Sequence, residues 1–320
     1  MTSYNKFSLD THLRSAGYFE LSDTPDTHIA TSIPLIHRSK EFTLFGRLHG
    51  DIFNSDKLLI NGVPIKIKLT KGRDEFNFIE SPAIPANQAQ NIAALAQPTP
   101  KLRIRDASIF FRKVKLAPNL LAAHAKALQQ SNVIIPIKRK EVKLINLPAG
   151  QSVFVIDNIY MSQIPSQFIV GFVRHDAHAG SYDFNPLAFK NFGLNYLALN
   201  VNGEMIPGKP YQPNYDSAIN SYEREYFEFF NNIGSTLSPN TPAITFSNYK
   251  ECVNLYAFNL NADFDNPKEN EYINLPKEGF VNLEAHFAAL LQHPVKLVCY
   301  AVFENKYEID KFRDVIKDYN

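Results

Sequence analysis

The sequence contains no tryptophan, three methionines and only two cysteines among 320 residues. Cys252 and Cys299 cannot build a disulfide framework, and we interpret both as small buried apolar residues. No apolar run approaches the roughly 18 residues that a membrane span needs, and the N-terminus lacks the apolar segment of a signal peptide. These absences predict a globular chain that stays in a reducing compartment, the cytoplasm or nucleus, after synthesis.

An excess of either charge is also missing, because 33 Lys and Arg residues are balanced by 32 Asp and Glu residues. No polybasic tail is visible, so nothing predicts general binding of nucleic acid through a positive field. The G-x-S-x-G elbow, the Walker A phosphate loop and the G-x-G-x-x-G nucleotide motif do not occur. We therefore expect no enzyme activity, no cofactor and no catalytic residue.

What the chain does contain is apolar residues at a spacing of two, which indicates half-buried β-strands. Such alternation is seen in residues 42–50, in residues 57–69, where Asn61 and Gly62 predict a hairpin turn, and in residues 110–117. Later β-type runs cover residues 132–147, 151–160, 167–173, 194–201, 253–260 and 295–303. Many short strands separated by turns are typical of a sandwich or barrel.

Helices are few. Residues 119–131 have helical spacing after Pro118, with Asn119 as the expected N-cap, and residues 220–234 form an aromatic amphipathic pattern that ends at Gly234. So few helices exclude a doubly wound fold, in which nearly every strand is followed by one.

Two segments rich in Pro, Ser, Asn and Gln, residues 82–100 and 234–247, are predicted to be long loops. Long loops lie on the surface, and we expect these two to make contacts between subunits.

An internal repeat is visible between two blocks that align without a gap, with Gly150 opposite Gly279 and Pro165 opposite Pro294. Each block reads as a strand, a short linker that ends in Pro, and a strongly apolar strand. We interpret the blocks as the closing strands of two equivalent halves.

Features upstream of the repeat occur in a matching order. Asn-Gly turns at residues 61–62 and 202–203 precede the first and the second predicted helix, respectively. Each half would then run from a hairpin through strands and one helix to the closing strand pair.

The stretch from residue 174 to residue 226 carries a family resemblance through the following residues: Asp176, Ala177, Gly180, Asn185, Pro186, Phe189, Asn195, Leu197, Ala198, Leu199, Gly203, Ile206, Pro207, Lys209, Pro210, Gln212, Pro213, Asn214, Arg224, Glu225 and Tyr226. In these residues the stretch resembles a family of mostly uncharacterised proteins of invertebrate genomes and virus-like elements. This family is similar to the hexon-type major capsid proteins of adintoviruses, Polinton-type elements and adomaviruses. The resemblance implies a double jelly-roll fold and a trimeric capsomer.

The sharpest candidate for site chemistry is the trio His175, Asp176 and His178, since two imidazoles and a carboxylate can bind zinc or transfer protons. Its spacing matches neither a helical ligand pair nor a zinc ribbon, so we expect an exposed loop and no metal site. His286 and His293 are expected to be core or interface imidazoles.

Two further patterns allow a functional and a structural interpretation. The basic run Lys138–Lys140 could contact phosphate, but a solvated strand end that discourages wrong strand pairing is the favoured interpretation. The aromatic helix pattern in residues 222–230 is equally consistent with a protein contact and with a helix that covers one end of a sandwich.

Together these observations predict an all-β double jelly roll, made of two eight-stranded antiparallel sandwiches with one short helix per half. The predicted domains are residues 1–176 and 177–320. The predicted function is a structural viral major capsid protein that forms hexon-like trimeric, pseudo-hexagonal capsomers in an icosahedral shell. Expected partners are further copies of the chain and penton or minor capsid proteins, in a virion assembled in the host cytoplasm or nucleus.

Other functions fit the same sequence. A minor capsid protein or a jelly-roll protein that binds a ligand or carbohydrate would share the fold, and the latter predicts a monomer with a concave aromatic patch. A cupin-like metalloenzyme would instead hold a metal at His175, Asp176 and His178.

Overall fold

The structure is a computed structural model, and it describes residues 41–46, 48, 50–54, 58–77, 101–181, 184–216, 218–234, 244–261 and 276–318. The strands are β1 (Val133–Leu147), β2 (Val153–Gln163), β3 (Gln167–Arg174), β4 (Leu194–Val201), β5 (Glu204–Tyr211), β6 (Leu255–Asn259), β7 (Glu278–Phe287), β8 (Val295–Ile309) and β9 (Val315–Lys317). The helices are a 3-10 turn (Asp51–Asn54), α1 (Asp74–Asn77), α2 (Pro118–Gln130), α3 (His175–Gly180), α4 (Glu223–Asn232) and α5 (Phe246–Glu251). The predicted all-β class with few short helices is confirmed.

The nine strands of the described residues form two antiparallel sheets. The first sheet has the order β1-β8-β3-β6, with the short β9 paired to the C-terminal end of β8 beyond β3, and the second has the order β2-β7-β4-β5. Because most consecutive strands alternate between the sheets, the chain crosses the sandwich repeatedly, as in a jelly roll. The described residues thus contain one complete eight-stranded jelly-roll sandwich.

Alternation along the strands builds the core between the sheets. In β8 the side chains of Leu297, Cys299 and Ala301 are fully buried, and in β7 the same holds for Leu283 and Ala285. Edge-to-face ring pairs fill the space between the sheets, such as Phe172 with Phe287 at 5.3 Å and Tyr160 with Phe303 at 5.3 Å. The four rings Phe172, Phe287, Tyr160 and Phe303 belong to one continuous cluster with the strand residues above.

The predicted domain boundary at residue 176 does not match the strand pairing. All three strands before it pair with strands after it: β1 with β8, β2 with β7, and β3 with β6 and β8. Strands that share hydrogen bonds and a core cannot belong to separate domains, so residues 133–309 form one unit.

The strands predicted in residues 42–50, 57–69 and 110–117 are wrong for the part of the chain that the structure describes. Residues 61 and 62 do form a turn, but the described residues around them and those of 110–117 are extended or irregular and pair with no strand. Alternation shows which side chains share a face and does not show whether a partner strand exists. Leu59, Ile60 and Val63 attach this segment to the sandwich by packing against the cluster of Ile135, Ile137 and Ile309.

The internal repeat has a different meaning from the one predicted. Its two blocks are β2 with β3 and β7 with β8, and they lie side by side in one sandwich. Val155 pairs with Glu284, and Val170 pairs with Cys299; both pairs are also equivalent positions of the repeat. When a residue's pairing partner in the sheet is also its equivalent in the repeat, a local two-fold axis passes between the two strands. The repeat therefore relates two crossovers of a single jelly roll, from β2 to β3 and from β7 to β8.

The hairpin between β4 and β5 follows from its turn residues. Asn202 has φ 52° and Gly203 has φ 87°, the left-handed conformations that a two-residue type I′ turn requires. The Asn202 side chain also accepts from the Phe280 N–H at 3.0 Å, which ties the turn to β7.

Both predicted helices are confirmed, with corrections at their ends. Helix α2 begins at Pro118 with Ala117 as N-cap, so Asn119 lies inside the helix and does not cap it. Helix α4 begins at Glu223, three residues later than predicted, and the chain leaves it near Gly234 with φ 69°.

The predicted loops are tested only in part. Residues 82–100 and 235–243 lie outside the described residues, and α5 begins at Phe246 within the predicted loop 234–247. The prediction of one helix per half fails as well, because α1, α3 and α5 are present in addition to α2 and α4. These three helices are too short to show a periodic pattern in the sequence.

Candidate functional surface

The trio His175, Asp176 and His178 lies in the short helix α3 rather than in a loop, and the side chains of Asp176 and His178 contact different partners. Both carboxylate oxygens of Asp176 accept from the Arg174 guanidinium, at 3.0 and 2.5 Å, which lowers the pKa of this carboxyl below its usual range. His178 lies 3.4 Å from the Lys296 ammonium, and burial together with that cation lowers the pKa of the imidazole.

A metal ion would have to compete with these contacts. A carboxylate already paired with Arg174 and an imidazole beside Lys296 make a poor cation site. Within the described ranges no group of three or more His, Cys, Asp and Glu side chains is arranged to hold a metal ion. The geometry therefore gives this trio a role in fixing the end of β3.

The other predicted single residues have simple surroundings. His286 lies on β7, where its Nε2 is 2.8 Å from a Glu284 carboxylate oxygen and its ring stacks on Tyr196 at 4.6 Å. His293 is exposed in the loop before β8, so the prediction of a core or interface imidazole finds no burial there. Cys252 and Cys299 are both buried and form no disulfide, as expected from the sequence.

The residues that carry the family resemblance meet in space, although they come from separate stretches of the chain. Arg224 at the start of α4 donates to the carbonyls of Lys209 and Pro210 at 2.9 and 3.0 Å, and its guanidinium lies over the Tyr211 ring. The neighbouring Glu225 is buried and accepts from the Gln212 N–H at 3.2 Å. These contacts clamp α4 to the end of β5.

The aromatic helix α4 covers one side of the sandwich. Tyr222, Phe229 and Phe230 are buried against Tyr249 of α5 and Ala257 of β6. The structural interpretation of this pattern is therefore correct for its buried face. Phe227, which is 60% exposed, lies on the other face of the helix.

Helices α4 and α5 also satisfy the outer edge of β6. The Tyr249 hydroxyl donates to the Leu255 carbonyl at 2.8 Å, and the Asn232 amide donates to the Ala257 carbonyl at 2.7 Å. An edge strand whose carbonyls are bonded by side chains offers no template for another strand. We call this the covered side of the sandwich.

The opposite side consists of the edge strands β1 and β2, and we call it the open side. No strand within the described part of the chain pairs with the outer edge of either one. The run Lys138–Lys140 lies in the middle of β1, not at a strand end, and Pro136 nearby is tolerated because an edge strand can lack a backbone donor. The favoured interpretation, a solvated strand edge, otherwise agrees with this position.

Charged side chains of β1 also enter the gap between the two sheets. Arg139 lies 2.7 Å from Glu141 and 4.2 Å over the Phe303 ring, and Lys143 donates to the Ile159 carbonyl at 2.7 Å across the gap. Inward-pointing charges at a sheet edge discourage edge-to-edge pairing. Sequence reasoning missed this network, although charges at every second residue of a strand were a usable signal.

The two sheets carry opposite charge, which the near-neutral total conceals. The strands of the first sheet hold eight basic residues, Lys138, Arg139, Lys140, Lys143, Arg174, Lys296, Lys306 and Lys317, against three acidic ones, Glu141, Glu304 and Glu308. The strands of the second sheet hold four acidic residues, Asp157, Glu204, Glu278 and Glu284, against one basic residue, Lys209. The sandwich therefore has a basic and an acidic face.

Exposed apolar side chains accompany the charges on both edge strands. On β1, Val142 is 56% exposed and Leu144 is 46% exposed, while on β2, Val153, Val155 and Met161 are 53, 63 and 68% exposed. Apolar residues clustered on an open sheet edge mark an interaction surface more often than isolated ones do. Within the part of the chain that the structure describes, no helix is long and apolar enough to cross a membrane.

The chain was compared with protein families, curated proteins and solved structures. No family model matches the chain. An uncharacterised protein of Caenorhabditis elegans, F54H12.2, is 23% identical over 325 aligned positions, which cover 98% of this chain and 72% of that protein. At that identity the match names no family for this chain.

Three solved structures of viral proteins are similar to this chain at low sequence identity. In the cryo-EM structure of the Sputnik virophage, the match has 12% identity and a TM-score of 0.39, and it covers 59% of this chain and 39% of that chain. For PBCV-1 VP54 fitted into a reconstruction of Sputnik, the identity is 9% and the TM-score is 0.39, and the match covers 64% of this chain and 55% of that chain. For the mavirus major capsid protein the identity is 14% and the TM-score is 0.31, and the match covers 58% of this chain and 41% of that chain. The chain thus spans about half the length of these proteins or less.

Proposed function

We propose that this chain is a structural subunit of a viral capsid, of the hexon-like kind, and not an enzyme. The observation that carries the proposal is the jelly-roll strand order, in which β1-β8-β3-β6 faces β2-β7-β4-β5. Jelly rolls are the building units of many viral shells because a rigid sandwich presents its loops and edges to neighbours. The family resemblance of the segment around Asp176–Tyr226 supports the same function.

The distribution of surfaces supports a role in assembly. One side of the sandwich is covered by α4 and α5, while the open side presents two edge strands with exposed apolar residues. A subunit that packs against copies of itself needs such a surface, and a subunit with no partner gains nothing from leaving it open.

The finer form of the proposal follows the resemblance. Copies of the chain form trimeric, pseudo-hexagonal capsomers, which pack beside one another and beside penton or minor capsid proteins in an icosahedral shell of an adintovirus- or Polinton-type element. The protein then resides in the virion capsid after assembly in the host cytoplasm or nucleus.

Size-exclusion chromatography with light scattering tests the proposal directly. The expected mass is three times that of the 36.3 kDa chain. Electron microscopy of the same fractions is expected to show triangular particles or shells. A monomer of 36.3 kDa at high protein concentration contradicts the capsid proposal.

A monomer would also direct attention to the other functions. A glycan array or thermal-shift screen then tests the jelly-roll ligand-binding protein, and elemental analysis for zinc tests the cupin-like metalloenzyme. A minor capsid protein would give particles only when mixed with a separate major capsid protein.

A further inference from the structure

The segment from Lys101 to Ala117, which precedes α2, has the properties of a strand without a partner; we call it the basic arm. Its side chains alternate in polarity near the C-terminal end, yet Phe110 and Phe111 are 82 and 80% exposed and Ile104 is 60% exposed. Large apolar side chains left in water at this extent cost free energy that a covering surface would recover. Among the described residues the arm has few covering contacts: the Phe110 ring lies 6.4 Å from the Phe45 ring, and Arg105 pairs with Glu41.

The arm is also strongly basic. Its one acidic residue is Asp106, and its six basic residues are Lys101, Arg103, Arg105, Arg112, Lys113 and Lys115. Its ends are fixed rather than loose: the Leu102 N–H donates to Asp74 at 3.0 Å, and the arm continues directly into α2 at Pro118. An extended segment that is both basic and apolar is complementary to a surface that is both acidic and apolar.

The outer face of β2 and β7 has that character; its residues Val153, Val155, Asp157, Glu278 and Phe280 form what we call the acidic strip. The three apolar members are 53, 63 and 41% exposed, and both carboxylates are exposed. Alternation in β7 places Glu278 and Phe280 on this outer face, because Val281 and Leu283 are buried in the core. Beside the strip lies the unpaired edge of β2.

We propose that the basic arm of one copy of this chain docks on the acidic strip of a second copy, as an added strand along β2. Main-chain hydrogen bonds to the β2 edge would supply affinity, and side chains at alternate positions would supply register. Phe111, Lys113 and Lys115 share one face of an extended strand, so Phe111 would cover Val153 and Val155 while Lys113 and Lys115 approach Asp157 and Glu278. The opposite signs of the two segments favour this pairing over arm against arm or strip against strip.

A strand-like arm on the first sheet would meet a less suitable surface. The outer face of β1 carries Lys138 and Lys140 beside Val142 and Leu144, so a basic arm would be repelled there. Charge therefore selects β2 over β1, although both are edge strands with exposed apolar residues. This inference rests on the proposed assembly of copies and names the contact that holds them together.

Charge reversal tests the contact. The variant K113E/K115E and the variant D157K/E278K are each expected to raise the concentration at which the assembly dissociates by roughly tenfold or more, measured by light scattering on dilution. A single chain that carries both sets of changes is expected to regain native association, because the arm and the strip are complementary again. The matched control is K66E/K68E, which reverses two equally exposed lysines outside the arm and is expected to leave assembly unchanged.

Bismaleimide cross-linking between Phe111→Cys and Val155→Cys identifies the two copies. A mixture of chains with one change each is expected to give a cross-linked pair, whereas a chain with both changes that gives only a cross-linked monomer overturns docking on a second copy. Native cysteines do not interfere, because Cys252 and Cys299 are buried.

The outcomes separate this inference from the proposed function. If the native chain assembles and both charge-reversed variants assemble equally well, the arm contact is wrong and the capsid proposal stands. If the native chain is a monomer at high concentration, the capsid proposal fails before the variants are made.

Discussion

The two sides of the sandwich differ in how their edge strands are covered. On the covered side, the edge carbonyls of Leu255 and Ala257 accept from Tyr249 and Asn232, and a layer of aromatic rings seals the surface. On the open side, the edges of β1 and β2 keep their apolar residues exposed, and charged side chains enter the gap between the sheets. The first side is complete within one chain, while the second is suited to a neighbour.

This difference separates packing from recognition. Aromatic residues on the covered side contribute to the stability of the chain itself, so their loss should appear in unfolding experiments. Residues on the open side contribute little to that stability, and their loss should appear in assembly. The following variants are chosen to break or refine that distinction.

The largest effect is expected from Phe229→Ala on the covered side. Phe229 is 5% exposed within the aromatic cluster, so its truncation leaves a cavity and should lower the free energy of unfolding by about 3–5 kcal/mol. Urea unfolding followed by circular dichroism measures this loss. Phe227→Ala is the matched control on the same helix, because Phe227 is 60% exposed and its removal should change stability by at most about 0.5 kcal/mol. Equal losses from both variants would show that α4 does not pack as described.

The same chemical change should have opposite signs on the two sides. Tyr249→Phe removes a hydroxyl that donates to Leu255 at 2.8 Å, and should cost about 1–2 kcal/mol. Tyr160→Phe removes a buried hydroxyl that has no hydrogen-bond partner among the described residues, and should leave stability unchanged or raise it by about 1 kcal/mol. Chemical denaturation of the two variants in parallel gives both values. A clear loss from Tyr160→Phe would mean that this hydroxyl is bonded in solution.

The smallest effect concerns the clamp residue Glu225. Burial raises the pKa of this carboxyl above its ordinary value, so the folded chain holds the proton more tightly than the unfolded chain does. Stability should therefore fall as the pH rises from the ordinary glutamate pKa through the raised folded value, and should be lowest above it. Glu225→Gln, which can still accept from Gln212, should remove this dependence and be more stable at neutral pH by up to about 1 kcal/mol. Denaturation midpoints from pH 4 to pH 8 test this expectation, and an unchanged pH profile in the variant would contradict it.

Much of the sandwich could be predicted from the sequence, because the signals for these elements lie within short stretches of the chain. Strands β1, β3, β4 and β8 alternate or run apolar over most of their length, and the Asn202-Gly203 turn fixes its hairpin by backbone preference alone. Helix α4 was visible because its aromatic residues recur at helical spacing over ten residues.

What could not be predicted depends on partners that are distant in sequence. Residues 110–117 alternate as well as β1 does, but no strand of the described chain pairs with them, and no local signal reports that. The repeat around Gly150 and Gly279 was visible, but a repeat in sequence is equally consistent with two sandwiches side by side and with two crossovers of one. Only the register, in which Val170 pairs with its own equivalent Cys299, separates these arrangements.

The network of Arg139, Glu141 and Lys143 shows a further limit. The sequence placed a basic run on a strand, and a solvated edge was a fair interpretation of Lys138 and Lys140. Charges at every second residue indicate that Arg139, Glu141 and Lys143 share a face, but that this face points into the sandwich follows from the buried positions Ile137 and Leu147.

The pairing of β1 with β8 also determines how the chain must fold. Val133 pairs with Ile309, and Leu147 pairs with Val295, so among the described strands the first strand of the sandwich pairs with the eighth alone. Contacts so far apart in sequence close large loops before they give any stabilisation, which makes folding slow. During synthesis β1 emerges early, with its apolar residues and both edges exposed until β8 is available. The charges on β1 therefore matter before the sandwich exists, when they keep an unpaired strand from joining the wrong chain.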